Sequence, residues 1–162
     1  MTMVNGRQVR NRVCARVLPV NAAGEVLLLH GWDPAVPDAP YWFSIGGATD
    51  PGESLVEAAV REMREETGIV IDPTELTGPI AREDAEFDWG VWRLVQDQTY
   101  FALALDHDPA AVRFDGLEPI ERTSIDAAAW WTPDALDADG SAANERLTEI
   151  MRDAVRTIRG TP

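Results

Sequence analysis

The stretch at residues 47–69, GATDPGESLVEAAVREMREETGI, organises the rest of the chain. Its glutamates Glu62, Glu65 and Glu66 are spaced i, i+3 and i+4. On a helix, at roughly 100° per residue, they lie on one face that is one turn tall. Exposed like charges at this spacing repel each other by roughly a few tenths of a kcal/mol. A bound cation would offset that repulsion, and carboxylate oxygens suit Mg²⁺, Mn²⁺ or Ca²⁺ better than zinc.

The residues around these glutamates favour a helix. Ser54, followed three residues later by Glu57, forms a capping-box pattern, and Gly68 stands where a left-handed C-terminal cap is favoured. Arg61 is spaced four residues from both Glu57 and Glu65, so it can hold a carboxylate in a fixed orientation. The other side of the helix carries an apolar stripe for packing on a sheet, formed by Leu55, Val56, Ala59, Val60 and Met63.

The same stretch resembles the signature of the Nudix hydrolases. That signature is a Gly, five residues, a Glu, seven residues, then Arg-Glu-apolar-any-Glu-Glu-any-Gly-apolar. The chain meets every fixed position, at Gly47, Glu53, Arg61, Glu62, Met63, Glu65, Glu66, Gly68 and Ile69. Two neighbouring positions depart from the family. Ile45 stands where most members have a Pro before the two glycines, and Ala48 stands where a longer side chain is common.

The resemblance implies a hydrolase that uses Mg²⁺, or alternatively Mn²⁺, to cleave a phosphoanhydride bond in a nucleoside diphosphate linked to another group. Nucleoside triphosphates, dinucleoside polyphosphates and nucleotide sugars all fit this description. Metal ions screen the phosphate charge and lower the pKa of a bound water. The metal ligands implied by the resemblance are Glu62, Glu66, Glu65, Glu53 and the backbone carbonyl of Gly46.

The resemblance also suggests which residues take part in catalysis. Glu65 and Arg61 are expected to do so, Glu65 either as a ligand or as a carboxylate that orients water. The general base is either a signature glutamate or a carboxylate from a later loop. In that loop Glu118 and Glu121 are the candidates, and Glu121 is preferred. The competing interpretation of Glu121 is an ordinary exposed loop residue.

Substrate selection must come from residues outside the signature. Four aromatic residues are candidates for stacking on a base, where each stack is worth roughly 1–3 kcal/mol: Tyr41, Trp42, Trp89 and Trp92. Packing in the core or in a hairpin is the competing interpretation for each. Arg82, Arg93 and Arg122 are candidates for holding phosphates bidentately, and Arg82 is the one assigned to the site. An ordinary surface position is the competing interpretation for each arginine. His30, at a strand end, is expected to be structural.

Two other functions share parts of this pattern. A non-catalytic nucleotide-sensing domain of the same fold would be expected to have lost signature carboxylates, and none is lost here. Isopentenyl diphosphate isomerase shares the helix but needs a catalytic cysteine. The chain's single cysteine, Cys14, lies in an apolar alternating run and is interpreted as a core residue.

Composition limits the partners. The chain has 14 basic and 28 acidic residues and a net charge of −14, which argues against nucleic acid polymers because phosphate backbones need basic patches. A small phosphorylated substrate can still bind where divalent ions neutralise it. The sequence carries no apolar signal core and no membrane-length apolar run, so the expected location is the cytoplasm, away from membranes. The sequence leaves open whether the protein forms a homodimer.

The 162 residues suit a single α/β domain. Strands are expected at 11–20, 25–30, 76–86, 95–105 and 125–131, with residues 1–9 frayed and residues 45–47 in a tight loop. Thr132 and Pro133 predict the start of a short helix. A C-terminal amphipathic helix is expected over about 141–159. Periodicity alone indicates helices and one layer of sheet; the resemblance adds an α/β/α sandwich with a mixed sheet.

Overall fold

The computed structural model describes residues 2–106, 112–114, 116–117 and 119–160. The candidate base Glu118 lies outside them. The helical segments are α1 (Leu55–Thr67), a 3₁₀ turn (Pro73–Glu75), α2 (Pro119–Arg122), α3 (Pro133–Asp139) and α4 (Leu147–Arg159). The strands are β1 (Met3–Val4), β2 (Arg7–Val20), β3 (Val26–Gly31), β4 (Tyr41–Phe43), β5 (Ile45–Ala48), β6 (Leu76–Trp89), β7 (Trp92–Ala104) and β8 (Ile125–Trp131).

The strands form a mixed, curled sheet around β2 and β3. On one side β2 runs parallel to β7 from Gln8 opposite Trp92 to Val20 opposite Ala104, and β7 pairs antiparallel with β6. On the other side the middle of β2 pairs antiparallel with β5. The hairpin after Val20 leads into β3, which is flanked by β4 and β8. The mixed sheet expected from the resemblance is confirmed.

Helix α1 covers one face of the sheet. Ser54 caps it by accepting a hydrogen bond from the Glu57 backbone N–H, and Gly68 ends it in the left-handed conformation, with φ of 76°. Its apolar stripe packs against buried residues of β2, β3, β5 and β7. Of the signature glutamates, Glu65 is only half-buried, whereas Glu62 and Glu66 are buried where the helix meets the sheet edge.

The opposite face of the sheet is covered by α3 and α4. Leu136 of α3 and four residues of α4 are fully buried or nearly so against β2, β3 and β7, namely Leu147, Ile150, Met151 and Ala154. Thr132 caps α3 as its sequence predicts, with Pro133 at the first helical positions. Along β7 the side chains alternate between the two faces as expected: Tyr100 and Ala102 join the α4 side, whereas Phe101 and Leu103 join the α1 side.

Both predictions about the chain ends need correction. Residues 1–9 were expected to be frayed, but residues 3–4 and 7–9 lie in strands: β1 pairs with the start of β2, and β2 already runs beside β7 from Gln8. The C-terminal helix begins at Leu147 rather than near 141. The reason is that residues 141–143 bond to the backbone of Trp42 as a short parallel bridge, which uses the groups a helix would need.

The glycine-rich segment before α1 is a strand, not the expected loop. In β5, Gly46 and Gly47 pair with Arg16 and Ala15 of β2. The backbones approach so closely that a Cβ at Gly46 would lie 2.1 Å from the Ala15 carbonyl oxygen. Gly46 also has a φ of 143°, a conformation that favours glycine.

No helix in the described part of the chain is long and apolar enough to cross a membrane.

Candidate metal and phosphate site

Arg61 stands at the centre of the signature carboxylates. Its Nε and Nη2 atoms donate to the two oxygens of Glu53 at 2.8 and 2.9 Å, in a bidentate pair. Nη1 donates to Glu62 at 3.0 Å and to Glu65 at 3.1 Å, and Nη2 also donates to the Ala48 carbonyl at 2.9 Å. The guanidinium thus joins the loop glutamate, two helix glutamates and strand β5 into one rigid network.

This network shifts the pKa of two carboxylates that it holds. The pKa of Glu53 is lowered, chiefly by its hydrogen bonds from Arg61. The pKa of Glu65 is raised, first by burial and then by the charge of Glu62, and Arg61 opposes that shift. The two directions differ because the hydrogen bonds from Arg61 are the largest influence on Glu53, whereas burial and the charge of Glu62 outweigh Arg61 at Glu65.

Glu62 and Glu66 are the buried members of the glutamate face. Glu66 is 2% exposed and Glu62 is 8% exposed. One oxygen of Glu66 accepts a hydrogen bond of 3.0 Å from the Gly46 backbone N–H, which fixes the carboxylate at the β5 edge. The pKa of Glu66 is raised well above its ordinary value, first by burial and then by the charge of Glu62, whereas the hydrogen bond from Gly46 and the charge of Arg16 oppose the shift and Glu121 adds to it. A buried pair of like charges favours a cation as a third partner.

Gly47 provides the space for Glu62. A Cβ at this position would lie 2.7 Å from Glu62 Oε1 and 2.9 Å from its Cδ, so any larger residue would displace the carboxylate. The Gly46 carbonyl accepts a hydrogen bond of 3.0 Å from Arg16, which leaves one of its two lone pairs. The glycines of the signature therefore bring backbone and carboxylate oxygens to the same edge of the sheet.

The donor set fits a magnesium-like ion. Within the described residues no three acidic, His or Cys side chains form a ready-made cage, because Arg61 holds Glu53, Glu62 and Glu65 on its own nitrogens. Mg²⁺, however, commonly uses only one or two protein carboxylates together with water and substrate phosphates. Glu62 and Glu66 supply two buried carboxylates one helical turn apart, and both are oxygen donors.

Glu121 is the described candidate from the later loop. It lies in α2, half-buried, and its charge acts on Glu66, so the fold brings it to the glutamate face. The preceding segment packs against α1: a Cβ at Gly116 would lie 2.8 Å from the Glu65 Cα. Glycine at 116 therefore permits the close approach that places α2 beside the helix glutamates.

Tyr41 and Trp42 differ in their surroundings. Burial and the charge of Asp33 raise the pKa of Tyr41, and the charge of Arg16 lowers it, so the hydroxyl lies in a polar region beside Arg16. Trp42 packs on His30 with ring centroids 4.8 Å apart and on Trp131 at 5.4 Å. Trp42 thus has the packing contacts of its competing interpretation; Tyr41 packs edge-on against Phe43 at 5.8 Å, and the charge of Arg16 acts on its hydroxyl. His30 also bonds Asp126, at 2.6 Å.

Trp89 and Trp92 lie opposite each other at the end of the β6–β7 hairpin, half-buried, on either side of the turn at Gly90. The sequence alone is compatible with either a turn or a strand end here. Arg10 stacks on Trp92, with 4.6 Å from its Cζ to the ring centroid. Both tryptophans remain candidates for substrate contact because the turn between them is exposed at Val91.

Arg82 is not brought to the glutamates. It lies on β6, three strand positions from β5 in the sheet, which corresponds to roughly 14 Å at the usual strand spacing. Its guanidinium is exposed and pairs with Asp97 at 2.7 Å and with Asp84 at 3.4 Å. Arg93 is likewise paired, with Glu86 and Asp88. Neither arginine is free to hold a phosphate without giving up an ion pair.

Several polar residues are buried on the α4 side of the sheet and were not predicted from the sequence. Glu83 is 8% exposed and accepts hydrogen bonds from Gln98, from Tyr100 and, on both of its oxygens, from Asn144 at 2.7 and 2.8 Å. Arg16 donates to Gln98 at 2.8 Å and to Gln96 at 3.3 Å. The available signal was a row of polar residues at core-facing positions of β7, which an apolar strand would not carry.

The fold and the site together define an α/β protein whose acidic helix face is suited to a divalent cation. The NUDIX domain family model matches residues 10–154. The chain therefore belongs to the Nudix hydrolase family, as its signature indicates.

Individual relatives differ in how much they share with the chain. It is 46% identical over 54 residues to a Bacillus subtilis protein named "Putative 8-oxo-dGTP diphosphatase", an alignment that spans 33% of each protein. It is 29% identical over 119 residues to an RNA pyrophosphohydrolase of Novosphingobium aromaticivorans, which covers 68% of the chain and 72% of the relative. The alignment with the Bacillus subtilis protein thus spans only about a third of that protein's length.

Solved structures share the fold. The chain superposes on a C. elegans Ap4A hydrolase complex with a TM-score of 0.61 and 21% identity, covering 93% of this chain and 99% of that one. It superposes on E. coli dihydroneopterin triphosphate pyrophosphohydrolase with a TM-score of 0.56 and 22% identity, covering 93% and 97%. At this identity the likeness concerns the fold.

Proposed function

We propose that the chain is a metal-dependent hydrolase that cleaves a phosphoanhydride bond in a nucleoside diphosphate linked to another group. The observation that carries the proposal is the glutamate face of α1, where two buried carboxylates, Glu62 and Glu66, meet the β5 edge beside the Arg61 network. Burying two like charges is costly unless a cation compensates them. Mg²⁺, with Mn²⁺ as the alternative, is the proposed cation.

The roles of the residues follow from their contacts. Glu62 and Glu66 would hold the metal, together with the free lone pair of the Gly46 carbonyl, and Glu53 is held by Arg61 at the margin of the same set. A metal in this place would neutralise phosphate charge and lower the pKa of a bound water. Arg61 keeps Glu62 and Glu65 in a fixed orientation, which is the condition for placing such a water without reorganisation.

Two carboxylates compete for the role of general base. Glu65 is half-buried beside Glu62, and burial raises its pKa, which favours proton acceptance. Glu121 approaches from α2 and acts electrostatically on Glu66. We prefer Glu121 because Glu65 already shares the Arg61 nitrogen with Glu62, and because the charge of Glu121 acts on the proposed ligand Glu66. Glu121→Gln should then slow turnover at least tenfold, about 1.4 kcal/mol on the barrier; a change below twofold would assign the base to Glu65.

The proposed substrates are small nucleotides with at least two linked phosphates: nucleoside triphosphates, dinucleoside polyphosphates or nucleotide sugars. The names of two relatives support phosphoanhydride chemistry, since one is called a diphosphatase of 8-oxo-dGTP and the other a pyrophosphohydrolase of RNA. Tyr41, on whose hydroxyl the charge of Arg16 acts, is the preferred aromatic contact for the nucleoside. The net charge of −14 supports a small substrate rather than a polymer.

The test is a panel of these three substrate classes, incubated with the protein and Mg²⁺, Mn²⁺ or EDTA, with the nucleotide and phosphate products measured. We expect nucleotide and phosphate to be released from one of the three substrate classes. EDTA should abolish this release. Glu62→Gln keeps the side-chain volume and should remove turnover, whereas Glu57→Gln, at an exposed glutamate on the same helix, should leave it unchanged. Absence of turnover across the whole panel would refute the hydrolase proposal and favour a nucleotide-sensing domain.

A further inference from the structure

Three arginines on one face of β2 differ from most other arginines of the chain. Seven arginines form ion pairs with carboxylates: Arg7, Arg61, Arg82, Arg93, Arg146, Arg152 and Arg156. Within the residues that the structure describes, Arg10, Arg12 and Arg16 form none. We call these three the arginine strip. In a chain with twice as many acidic as basic residues, unpaired cations on one face of one strand need an explanation.

The strip lies on the α4 side of the sheet. Side chains two apart on a strand point to the same face. Arg16 donates to Gln98 and Gln96, and Arg10 stacks on Trp92, which places all three side chains above β7. These direct contacts are with neutral partners and orient the guanidinium groups, while the charge of Arg16 also acts on Glu66 from a distance.

Arg12, in the middle of the strip, is the least satisfied of the three. It is half-buried, and burial lowers its pKa, yet the hydrogen bonds of the described residues include none from its guanidinium. The like charges of Arg16 and Arg10 lower the pKa further, while the charge of Glu62 raises it. Arg12 therefore lies within electrostatic reach of the carboxylate that would hold the metal.

Among the described residues only Trp131 Nε1 is a buried side-chain nitrogen or oxygen without a hydrogen-bond partner, so solvent, or an anion in its place, can reach the donors of the half-buried Arg12 guanidinium. Its geometry matches the two oxygens of a phosphate. A shallow cavity of about 250 Å³ also touches Arg12 and Gln96, but most of its lining belongs to Asn11, Val13, Asp84, Val95 and Asp97. Since Asn11 and Val13 alternate with Arg12 along β2, that cavity opens mainly on the other face and, with two carboxylates, does not suit an anion.

We propose that Arg12, supported by Arg10, is a phosphate-binding residue that holds the part of a nucleoside polyphosphate lying beyond the phosphates at the glutamates. Trp92 positions Arg10 by stacking, and Arg16 is fixed by its amide partners and the Gly46 carbonyl. This assignment rests on the proposed function, since it names a second phosphate contact for the same substrate. It also makes the strip a determinant of phosphate-chain length: a longer chain reaches Arg12, whereas a short one does not.

The direct test uses inorganic tripolyphosphate and metal-free protein, with binding followed by isothermal titration calorimetry at low salt. We expect Arg12→Gln to weaken binding at least tenfold, and Arg10→Gln at least threefold. Arg159→Gln is the matched control, because Arg159 is exposed at the far end of α4 and its replacement changes the net charge equally. The control should bind within twofold of the unaltered protein.

Thermal unfolding of each variant shows whether it folds. If the Arg12 variant does not fold, binding by the variant at the exposed Arg10 decides whether the arginine strip binds phosphate. Absence of tripolyphosphate binding by the unaltered protein would overturn the proposal, as would binding within twofold in both strip variants. The outcome is separate from that of the hydrolase test: tripolyphosphate binding needs no turnover. If turnover is found, Arg12→Gln should raise KM for the longest phosphate chain more than it lowers kcat.

Discussion

Replacing Glu66 with glutamine should stabilise the metal-free protein and at the same time remove its response to Mg²⁺. The amide oxygen of the new side chain can still accept the 3.0 Å hydrogen bond from Gly46, so the packing at the β5 edge is kept while the charge is lost. Glu66 is 2% exposed and faces the charge of Glu62, so its carboxylate destabilises the metal-free protein. A bound cation would instead make a favourable contact with this carboxylate.

The magnitude follows from the helix geometry. Side chains four residues apart have Cβ atoms about 5–6 Å apart. Two unit charges at about 6 Å repel each other by roughly 2.8 kcal/mol at an effective dielectric constant near 20. Arg61, by its bond to Glu62 at 3.0 Å, and the charge of Arg16, which acts on Glu66, already offset part of this, so the net gain from Glu66→Gln should be about 1–2 kcal/mol. For a chain of this size that corresponds to a rise in Tm of about 2–8 °C.

The assay is thermal unfolding in EDTA and in Mg²⁺, for the unaltered protein, Glu66→Gln and the exposed control Glu57→Gln. For a site with a Kd of about 1 mM, about 10 mM Mg²⁺ should stabilise the unaltered protein and the control by roughly 1.4 kcal/mol. Glu66→Gln should show the higher Tm in EDTA and no shift with Mg²⁺. A lower Tm in EDTA, or an undiminished Mg²⁺ shift, would refute the assignment of Glu66 as a buried ligand.

Three other substitutions test single contacts. Arg61→Lys keeps the charge but cannot form the bidentate pair with Glu53 while also reaching the helix glutamates, so kcat should fall at least tenfold, as steady-state kinetics would show. Gly47→Ala places a Cβ 2.7 Å from Glu62 Oε1 and should lower kcat at least tenfold, with far-ultraviolet circular dichroism unchanged. Asn144→Ala removes two hydrogen bonds to Glu83 and should reduce the free energy of unfolding by about 1–3 kcal/mol in urea, without affecting Mg²⁺ binding.

Local rules were sufficient for the elements whose stabilising contacts are close in sequence. The caps of α1 and α3 and the two-faced alternation of β7 follow from spacing and residue type, and the structure confirms them. The signature glutamates lie on one helix face by the same reasoning. For Arg61, spacing along the helix indicates pairing with a single carboxylate, and the contact with Glu53, eight residues earlier, becomes visible only in the structure.

Elements that depend on distant partners were not predictable in this way. The segment Ile45–Ala48 has the composition of a loop, but it becomes a strand because glycines allow a close approach to β2, about thirty residues earlier. Residues 7–9 are polar or isolated apolar positions, yet they belong to β2 because β7, much later in the chain, offers a parallel partner. Local propensity gives little information about such pairings, since their free energy comes from long-range contacts.

The charge distribution explains how so acidic a chain can handle a polyanion. The negative charge near the site lies on glutamates that a divalent cation or Arg61 compensates, whereas the arginine strip has no carboxylate partners in the described structure. An incoming phosphate chain would thus meet positive charge at both ends: the metal at the glutamates and Arg12 along β2. A nucleic acid polymer would bring many further phosphates, which a chain with a net charge of −14 would repel. Under the proposed function, the same arrangement would admit a small nucleotide, whose phosphates are compensated locally, and would disfavour a long one without a separate gate.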